Sequence, residues 1–241
     1  SNQLTHWKVR KGDMEKGFAE ADIIVEGEYY TPMVEHAYLE MESVLVRIEK
    51  DGTLVVYTGS QSSFAMQDMI AKSLNIEKDR VRVILTTTGG AFGGKEEPVN
   101  QIHAALGAMV TGRPVKMTLT REESIRMSTK RHAEYIKMRH GATKEGKLVA
   151  FESRAICDVG AYASVSGAVV FRSAVVASGP YQIPNVKTDS HGIYTNNVPG
   201  GAFRGFGSTQ VAFASELQMD KLARALNMDP IEFRLKNALE P

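Results

Sequence analysis

The chain has 241 residues, with 29 Lys+Arg against 28 Asp+Glu and a formal net charge of +1; this balance excludes a general nucleic-acid or membrane-surface binder, which carries a basic excess. Hydrophobic residues make up 43% and charged residues 24%, a globular mix with no apolar run long enough to span a bilayer. The single cysteine, Cys157, excludes an internal disulfide framework and any cysteine-only zinc or iron–sulfur site.

In chain order, Asp22 to Tyr30 alternates as a strand. Ser43 to Ile48 and Thr53 to Thr58 flank Glu49-Lys50-Asp51-Gly52, a hairpin signal with glycine at the left-handed position. Phe64, Met66, Met69, Ile70 and Leu74 give a helix over 62–74, and Arg80 to Thr86 a strand. GGAFGG at Gly89 to Gly94 follows directly. A helix is expected from about Glu96 to Val110, ended by Gly112, then a strand from Val115 to Leu119. The second half repeats the plan. His132 to Thr143 and Lys147 to Val159 form a hairpin across Lys144-Glu145-Gly146, and Gly160 to Gly179 includes a helix. Val186 to Asn196 contains a strand, GGAFRGFG occupies Gly200 to Gly207, and a helix covers Ser208 to Leu226. Asp229-Pro230 reads as N-cap and first residue of a last helix ending at Asn237.

GGAF therefore occurs twice, each time between a predicted strand and a predicted helix. We read this as an internal duplication of a strand–glycine loop–helix unit. The expected fold is α+β, one domain over 1–241 with two related lobes, roughly 20–130 and 131–241, built of mixed sheets and packed helices. The Ser1-Asn2 start and the tail-less end suggest a piece excised from a longer protein. No signal peptide opens the chain, and the low cysteine count is compatible with the cytoplasm, its expected location.

Glycines permit positive φ and close backbone approach. A glycine loop that feeds a helix aims N–H groups outward, suiting a phosphate, a carboxylate or a metal-bound oxygen. The plainer reading is a tight turn that binds nothing, but two copies, each with a central phenylalanine, favour a shared ligand. Neither standard nucleotide loop fits. Gly89 to Lys95 is followed by Glu96 where a P-loop needs Ser or Thr, and Gly205-Phe206-Gly207-Ser208 does not complete a dinucleotide fingerprint.

Six ordered segments together carry a family signature: Glu35-His36-Ala37-Tyr38-Leu39-Glu40, Gln61 in TGSQSSF, GGAFGGKE at Gly89 to Glu96, Arg172 in VFRSA, Tyr181-Gln182-Ile183-Pro184-Asn185, and GGAFRGFG at Gly200 to Gly207. With these the chain resembles the first molybdenum-cofactor-binding domain of xanthine dehydrogenases and aldehyde oxidases. The resemblance implies oxidative hydroxylation of a heterocycle or an aldehyde with oxygen from water. It implies a molybdenum–molybdopterin cofactor, in either its simple or its cytosine dinucleotide form. Iron–sulfur centres and FAD are then expected on other domains or subunits.

By the same resemblance Gln61, Phe92, Gly93, Gly94 and Arg204 bind the cofactor. Gln61, Phe92 and Arg204 lie nearest the molybdenum, with no direct protein ligand. Glu96, Arg172 and Phe206 match substrate-facing residues of purine hydroxylases. A purine pocket needs an aromatic face with donors and acceptors at its rim, and a fixed cation to stabilise charge building on the ring. Aldehyde oxidases usually have apolar residues at the Glu96 and Arg172 positions, which favours a purine such as xanthine or hypoxanthine. A nicotinate-like or aldehyde substrate, or a non-catalytic anion-binding module, are the alternatives.

Each residue also has an ordinary structural role open to it. Gln61 could cap the helix beside it, Glu96 could favour a helix dipole, Arg172 could sit in a surface ion pair, and Phe92, Phe203 and Phe206 could be core. His36, His103 and His132 have no metal-ligand spacing. The family's general-base glutamate belongs to a C-terminal molybdopterin-binding domain beyond this sequence, the expected partner, so no catalytic base is assigned here. Cys157 lies in neither glycine loop, unlike the copper-binding cysteine of the carbon monoxide dehydrogenase branch.

Overall fold

The structure is a computed structural model that describes residues 1–240. In chain order its elements are β1 (Gln3–Lys11), α1 (Met14–Ala19), β2 (Ile23–Thr31), β3 (Ser43–Ile48), β4 (Leu54–Thr58), α2 (Ser63–Leu74), β5 (Val81–Leu85), α3 (Gln101–Thr111), β6 (Val115–Thr118) and α4 (Arg121–Met127). There follow β7 (Glu134–Ala142), β8 (Leu148–Gly160), α5 (Ser166–Val176), β9 (Asn185–Tyr194), α6 (Ser208–Ala225) and α7 (Pro230–Asn237). They fall into two compact units. The first comprises Ser1–Val34, Arg131–Gly200 and the chain from Gly205 onward; the second comprises Glu35–Lys130 and Gly201–Arg204.

The first unit is built on a five-stranded mixed sheet in the order β1-β9-β8-β7-β2, with β8 and β9 parallel and the other pairs antiparallel. Period-two alternation sends Ile136, Met138, Ala155 and Cys157 inward and Tyr135, Lys137, Arg154 and Ile156 outward. The inner face packs with Val211, Ala214, Met219 and Leu222 of α6 and Phe233 of α7 into one core. The outer face is a charged lattice. Register places Glu28, Lys137, Arg154, Asp189 and Lys8 in one cross-strand row and Glu26, Arg139, Glu152, Lys187 and Arg10 in the next.

The second unit has a four-stranded sheet in the order β5-β4-β3-β6, again with one parallel pair, β4 and β5. Val44, Val46, Leu54 and Val56 pack against Met66 and Ile70 of α2 and Ala104, Ala105 and Ala108 of α3. Ser62 caps α2 through its side chain, and Gly112 ends α3 at φ 65°.

The duplication extends beyond the loops. In each unit an antiparallel hairpin (β3–β4, β7–β8) leads through a helix (α2, α5) to a strand parallel to the second hairpin strand (β5, β9). A glycine loop and a further helix follow. The fourth strand, antiparallel to the first hairpin strand, comes after this series as β6 and before it as β2. That reversal corrects the lobe boundaries. Residues 20–34 fall with the second half of the chain and not with a 20–130 lobe, because β2 pairs along its length with β7.

A second correction concerns the helix after the first glycine loop. It starts at Gln101, and Glu96 lies in an irregular segment before it. The Lys95 carbonyl, which a helix there would need, accepts instead from the Gln61 N–H at 3.0 Å and Ser60 Oγ at 3.1 Å. Pro98 has no N–H to offer. Glu96 therefore has no helix dipole to serve. Three elements were not expected from the sequence: β1, α1 and α4, the last announced by a Thr120/Glu123 capping box.

Candidate functional site

The first glycine loop lies wholly in the second unit, where Gln61 organises it. The Gln61 carboxamide oxygen accepts from the Gly93 N–H at 2.9 Å and the Lys95 N–H at 3.4 Å. Its NH₂ group remains as the donor end of an exposed side chain. Ser62 caps the neighbouring helix, so Gln61 is not the cap that an isolated reading suggested. The loop turns through Gly90 (φ 96°), Phe92 (φ 55°) and Gly93 (φ 106°). A left-handed phenylalanine costs roughly 1–2 kcal/mol. A Cβ at Gly93 would lie 2.5 Å from the Ala202 carbonyl oxygen, and one at Gly94 2.7 Å from the Tyr38 ring.

Residues 201–204 of the second glycine motif complete this cluster. The Arg204 N–H donates to the Phe92 carbonyl at 2.9 Å, and the Arg204 guanidinium lies over the Phe92 ring, 5.1 Å from its centroid. His36 Nε2 donates to the Ala202 carbonyl at 2.6 Å, and its ring stacks on Phe203 at 4.4 Å. The structure thus brings together all five expected cofactor residues, Gln61, Phe92, Gly93, Gly94 and Arg204. His36 acts as a structural fastener. A further fastener escaped the sequence reading. Lys95, 3% exposed, ion-pairs with Glu40 at 2.8 Å, and Glu40 also accepts from the Gly89 N–H at 2.5 Å. Lys95 Nζ therefore serves the loop itself, unlike a phosphate-reaching P-loop lysine.

The remainder of the second motif belongs to the first unit. Gly205 (φ 92°), Phe206 (φ 50°) and Gly207 (φ 95°) lead straight into α6. A Cβ at Gly207 would strike the Val169 carbonyl oxygen. Phe206 packs against Cys157, Val169 and Val170. Arg172, exposed on α5, holds its guanidinium over the Phe206 ring at 5.6 Å. Two of the three expected substrate residues are thus adjacent, and Arg172 faces the ring in place of the surface ion pair considered for it. Glu96 lies in the second unit, two residues past Gly94, and burial holds its carboxyl above the ordinary range.

Glu134 was not singled out from the sequence. It is 1% exposed, burial raises its carboxyl to about 7, and it interacts with Ser173. Ser173 Oγ in turn donates to the Gly207 carbonyl at 3.3 Å. The signal that could have found it is parity: Glu134 shares the inward phase of Ile136 and Met138, whereas Lys137 and Arg139 fall on the outward one.

The second-unit cluster fits an anionic, oxygen-rich group. Glycines 93 and 94 let the loop close onto the Ala202 carbonyl and the Tyr38 and His36 rings, the Gln61 NH₂ and the Arg204 guanidinium are donors, and the nearby Glu40 carboxylate is neutralised by Lys95. Among the described residues, one His/Asp group could ligate a metal ion directly, His6, Asp189 and His191, and it includes none of these residues.

A family model described as "Molybdopterin cofactor-binding domain" matches residues 1–238. The chain belongs to this family. It is the molybdopterin-binding domain of the xanthine dehydrogenase and aldehyde oxidase group. A probable xanthine dehydrogenase subunit of Bacillus subtilis is 40% identical over 95% of this chain and 31% of its own length. The "Nicotinate dehydrogenase large molybdopterin subunit" of Eubacterium barkeri is 42% identical over 98% of this chain and 55% of its own. Among solved structures, an aldehyde oxidoreductase from Desulfovibrio gigas superposes with a TM-score of 0.95 at 34% identity, covering all of this chain and 27% of that one. This molybdopterin-binding domain therefore spans between about a quarter and about half the length of these relatives. Among the described residues, no helix is long and apolar enough to cross a membrane.

Proposed function

We propose that the complete protein is a molybdenum hydroxylase that oxidises a purine such as xanthine or hypoxanthine, taking oxygen from water, and that this domain supplies one wall of its site. Gln61, Phe92, Gly93, Gly94 and Arg204 would hold the molybdenum–molybdopterin group, simple or dinucleotide. That group, when bound, accepts two electrons from the substrate carbon. The Gln61 NH₂ would be the donor toward the group, its carbonyl being held by the Gly93 and Lys95 N–H groups. Iron–sulfur and flavin partners would carry the electrons away, and a glutamate of a C-terminal domain would serve as the base. The 241-residue chain alone would then turn over no purine.

The observation that carries the purine reading is the Arg172–Phe206 pair, together with a raised carboxyl at Glu96. An aromatic face and a guanidinium suit a flat ring that gains negative charge during attack. A carboxyl above its ordinary range can meet a ring nitrogen with or without its proton. The 42% identity to a nicotinate dehydrogenase subunit favours a second reading, in which Arg172 pairs with a substrate carboxylate.

Steady-state assays of the complete enzyme distinguish the two. Under the purine reading Glu96→Gln and Arg172→Gln each lower kcat/KM for xanthine at least about 100-fold, roughly 2.7 kcal/mol, with molybdenum content unchanged. Under the nicotinate reading Glu96→Gln has little effect and Arg172→Gln raises KM. Loss of molybdenum from either variant ahead of activity would remove both residues from the substrate side.

A further inference from the structure

We propose that His6, Asp189 and His191 form a binding site for a divalent transition-metal ion such as Zn²⁺ on the outer face of the five-stranded sheet, separate from the glycine loops. Register creates the cluster. His6 of β1 lies directly opposite His191 of β9, and Asp189, two residues from His191, projects from the same face. One ligand atom from each of the three lies within 4.8 Å of the others. Metal–ligand distances of about 2.0–2.2 Å in a tetrahedron require separations of roughly 3.3 Å, so small side-chain rotations suffice. Two imidazoles and a carboxylate suit zinc and its transition-metal neighbours and are a poor set for Mg²⁺.

The side chains already lie together. The two imidazoles stack with centroids 3.9 Å apart and planes 19° apart. The Gln3 amide oxygen lies 3.1 Å from His191 Nδ1 and can only accept, which places the ring proton on Nδ1 and leaves Nε2 a lone pair. His6 Nε2 and Asp189 Oδ1 are 2.7 Å apart. The ion would take the place of the proton they share.

The competitor is Arg10. It pairs with both Asp189 oxygens at 2.9 and 2.8 Å, and Nη1 of the same half-exposed side chain donates to the Val9 and Thr188 carbonyls at 2.9 and 2.7 Å. Lys8 and Arg154 flank Asp189 in the same row and further oppose a cation. The site is therefore one of moderate affinity, and an ion bound there would tie the edge strand β1 to β9.

Calorimetric titration of the full 241-residue chain with ZnCl₂ tests this, with Co²⁺ absorption as a reporter of nitrogen and oxygen ligation. One equivalent of Zn²⁺ should bind and raise Tm. His6→Gln, His191→Gln and Asp189→Asn should each weaken it at least about 10-fold, while Arg10→Gln should tighten it. MgCl₂ should give no shift. Absence of Zn²⁺ binding in both the native chain and Arg10→Gln would overturn the proposal. So would an affinity unmoved in His6→Gln and His191→Gln variants that still melt cooperatively, or a Co²⁺ spectrum identical to that of the aquo ion.

Discussion

The two glycine loops share four letters of sequence and also share a backbone conformation, but not at the same letters. GGAF pairs Phe92 with Phe203, whereas the dihedrals pair Phe92-Gly93 (φ 55° and 106°) with Phe206-Gly207 (φ 50° and 95°). Each left-handed phenylalanine carries an arginine over its ring, Arg204 in one case and Arg172 in the other. What is repeated is thus a strained Phe–Gly step under a guanidinium. Strain of this kind persists only where the surroundings over-determine it, and it concentrates at binding sites. The loops differ in their fastening. The first is clamped by Gln61, Glu40 and Lys95 and leaves Phe92 43% exposed, whereas the second buries part of Phe206 on a small core and enters α6 directly.

The largest test of this parallel is alanine at the two positive-φ glycines. Gly93→Ala and Gly207→Ala should each cost about 3 kcal/mol in urea unfolding, since each adds backbone strain and meets a carbonyl oxygen. A tolerated alanine at either position would break the equivalence of the loops.

The next effect separates them by pH. Glu134 lies in the unit that carries Gly205 to Gly207, and Ser173, which donates to the Gly207 carbonyl, offsets part of its raised pKa. The folded chain keeps its proton up to about pH 7, whereas the ordinary value is 4.5. Its contribution is therefore whole below about 4.5 and is lost as pH rises through 7. His132 and His140, held neutral by burial down to about 4 and about 3, act in the opposite sense, and their contribution is lost as pH falls below 6.5. Glu134→Gln should remove the Glu134 part alone. The variant should gain about 3 kcal/mol on the native chain between pH 4.5 and 8 in denaturant melts, and a constant difference would place the titration elsewhere.

A smaller effect belongs to the first loop. Lys95→Met strands the Glu40 carboxylate with the Gly89 N–H and should cost about 1–2 kcal/mol, reduced because Glu40 is 29% exposed. Hydrogen exchange should then quicken at Gly93 and at the amide of position 95 and stay unchanged at Gly207. The smallest difference concerns the aromatic rings. Phe92→Gly should alter stability by less than about 1 kcal/mol, because relief of strain offsets little lost burial, while Phe206→Gly should cost about 1 kcal/mol more through its contact with Val169 and Val170. Equal melts would show that burial does not distinguish the two steps.

Much of this was legible in the sequence because local chemistry announced it. Gly52 sits at the left-handed position assigned to it, Gly112 ends α3 as expected, and Asp229 caps α7 with Pro230 as its first residue. The residues proposed for the cofactor stood out as a set through the spacing of six segments, and the structure gathers them in one unit. What could not be read was set by pairing across the chain. β2 alternates like any half-buried strand, and nothing in its residues says that its partner is β7. The Glu40–Lys95 clamp spans 55 residues. Glu96 missed its helix because a distant Gln61 N–H and Ser60 hydroxyl claimed the Lys95 carbonyl. The Thr120/Glu123 box was visible and went unread because so short a helix has little apolar period.

The antiparallel bridge between Val34 and Arg131, with the Arg131 N–H on the Val34 carbonyl at 2.9 Å, bears on how the chain reaches its native state. The polypeptide leaves the five-stranded sheet at one end of that bridge and rejoins it at the other. Pairing β2 with β7 from an open coil means closing a loop that runs through the whole of Glu35–Lys130, at an entropic cost that grows with its length. If that excursion folds first, its two ends arrive side by side and the long-range pairing of Ile23 with Ala142 becomes a short zipper. The order of folding would then be inside-out: guest before host.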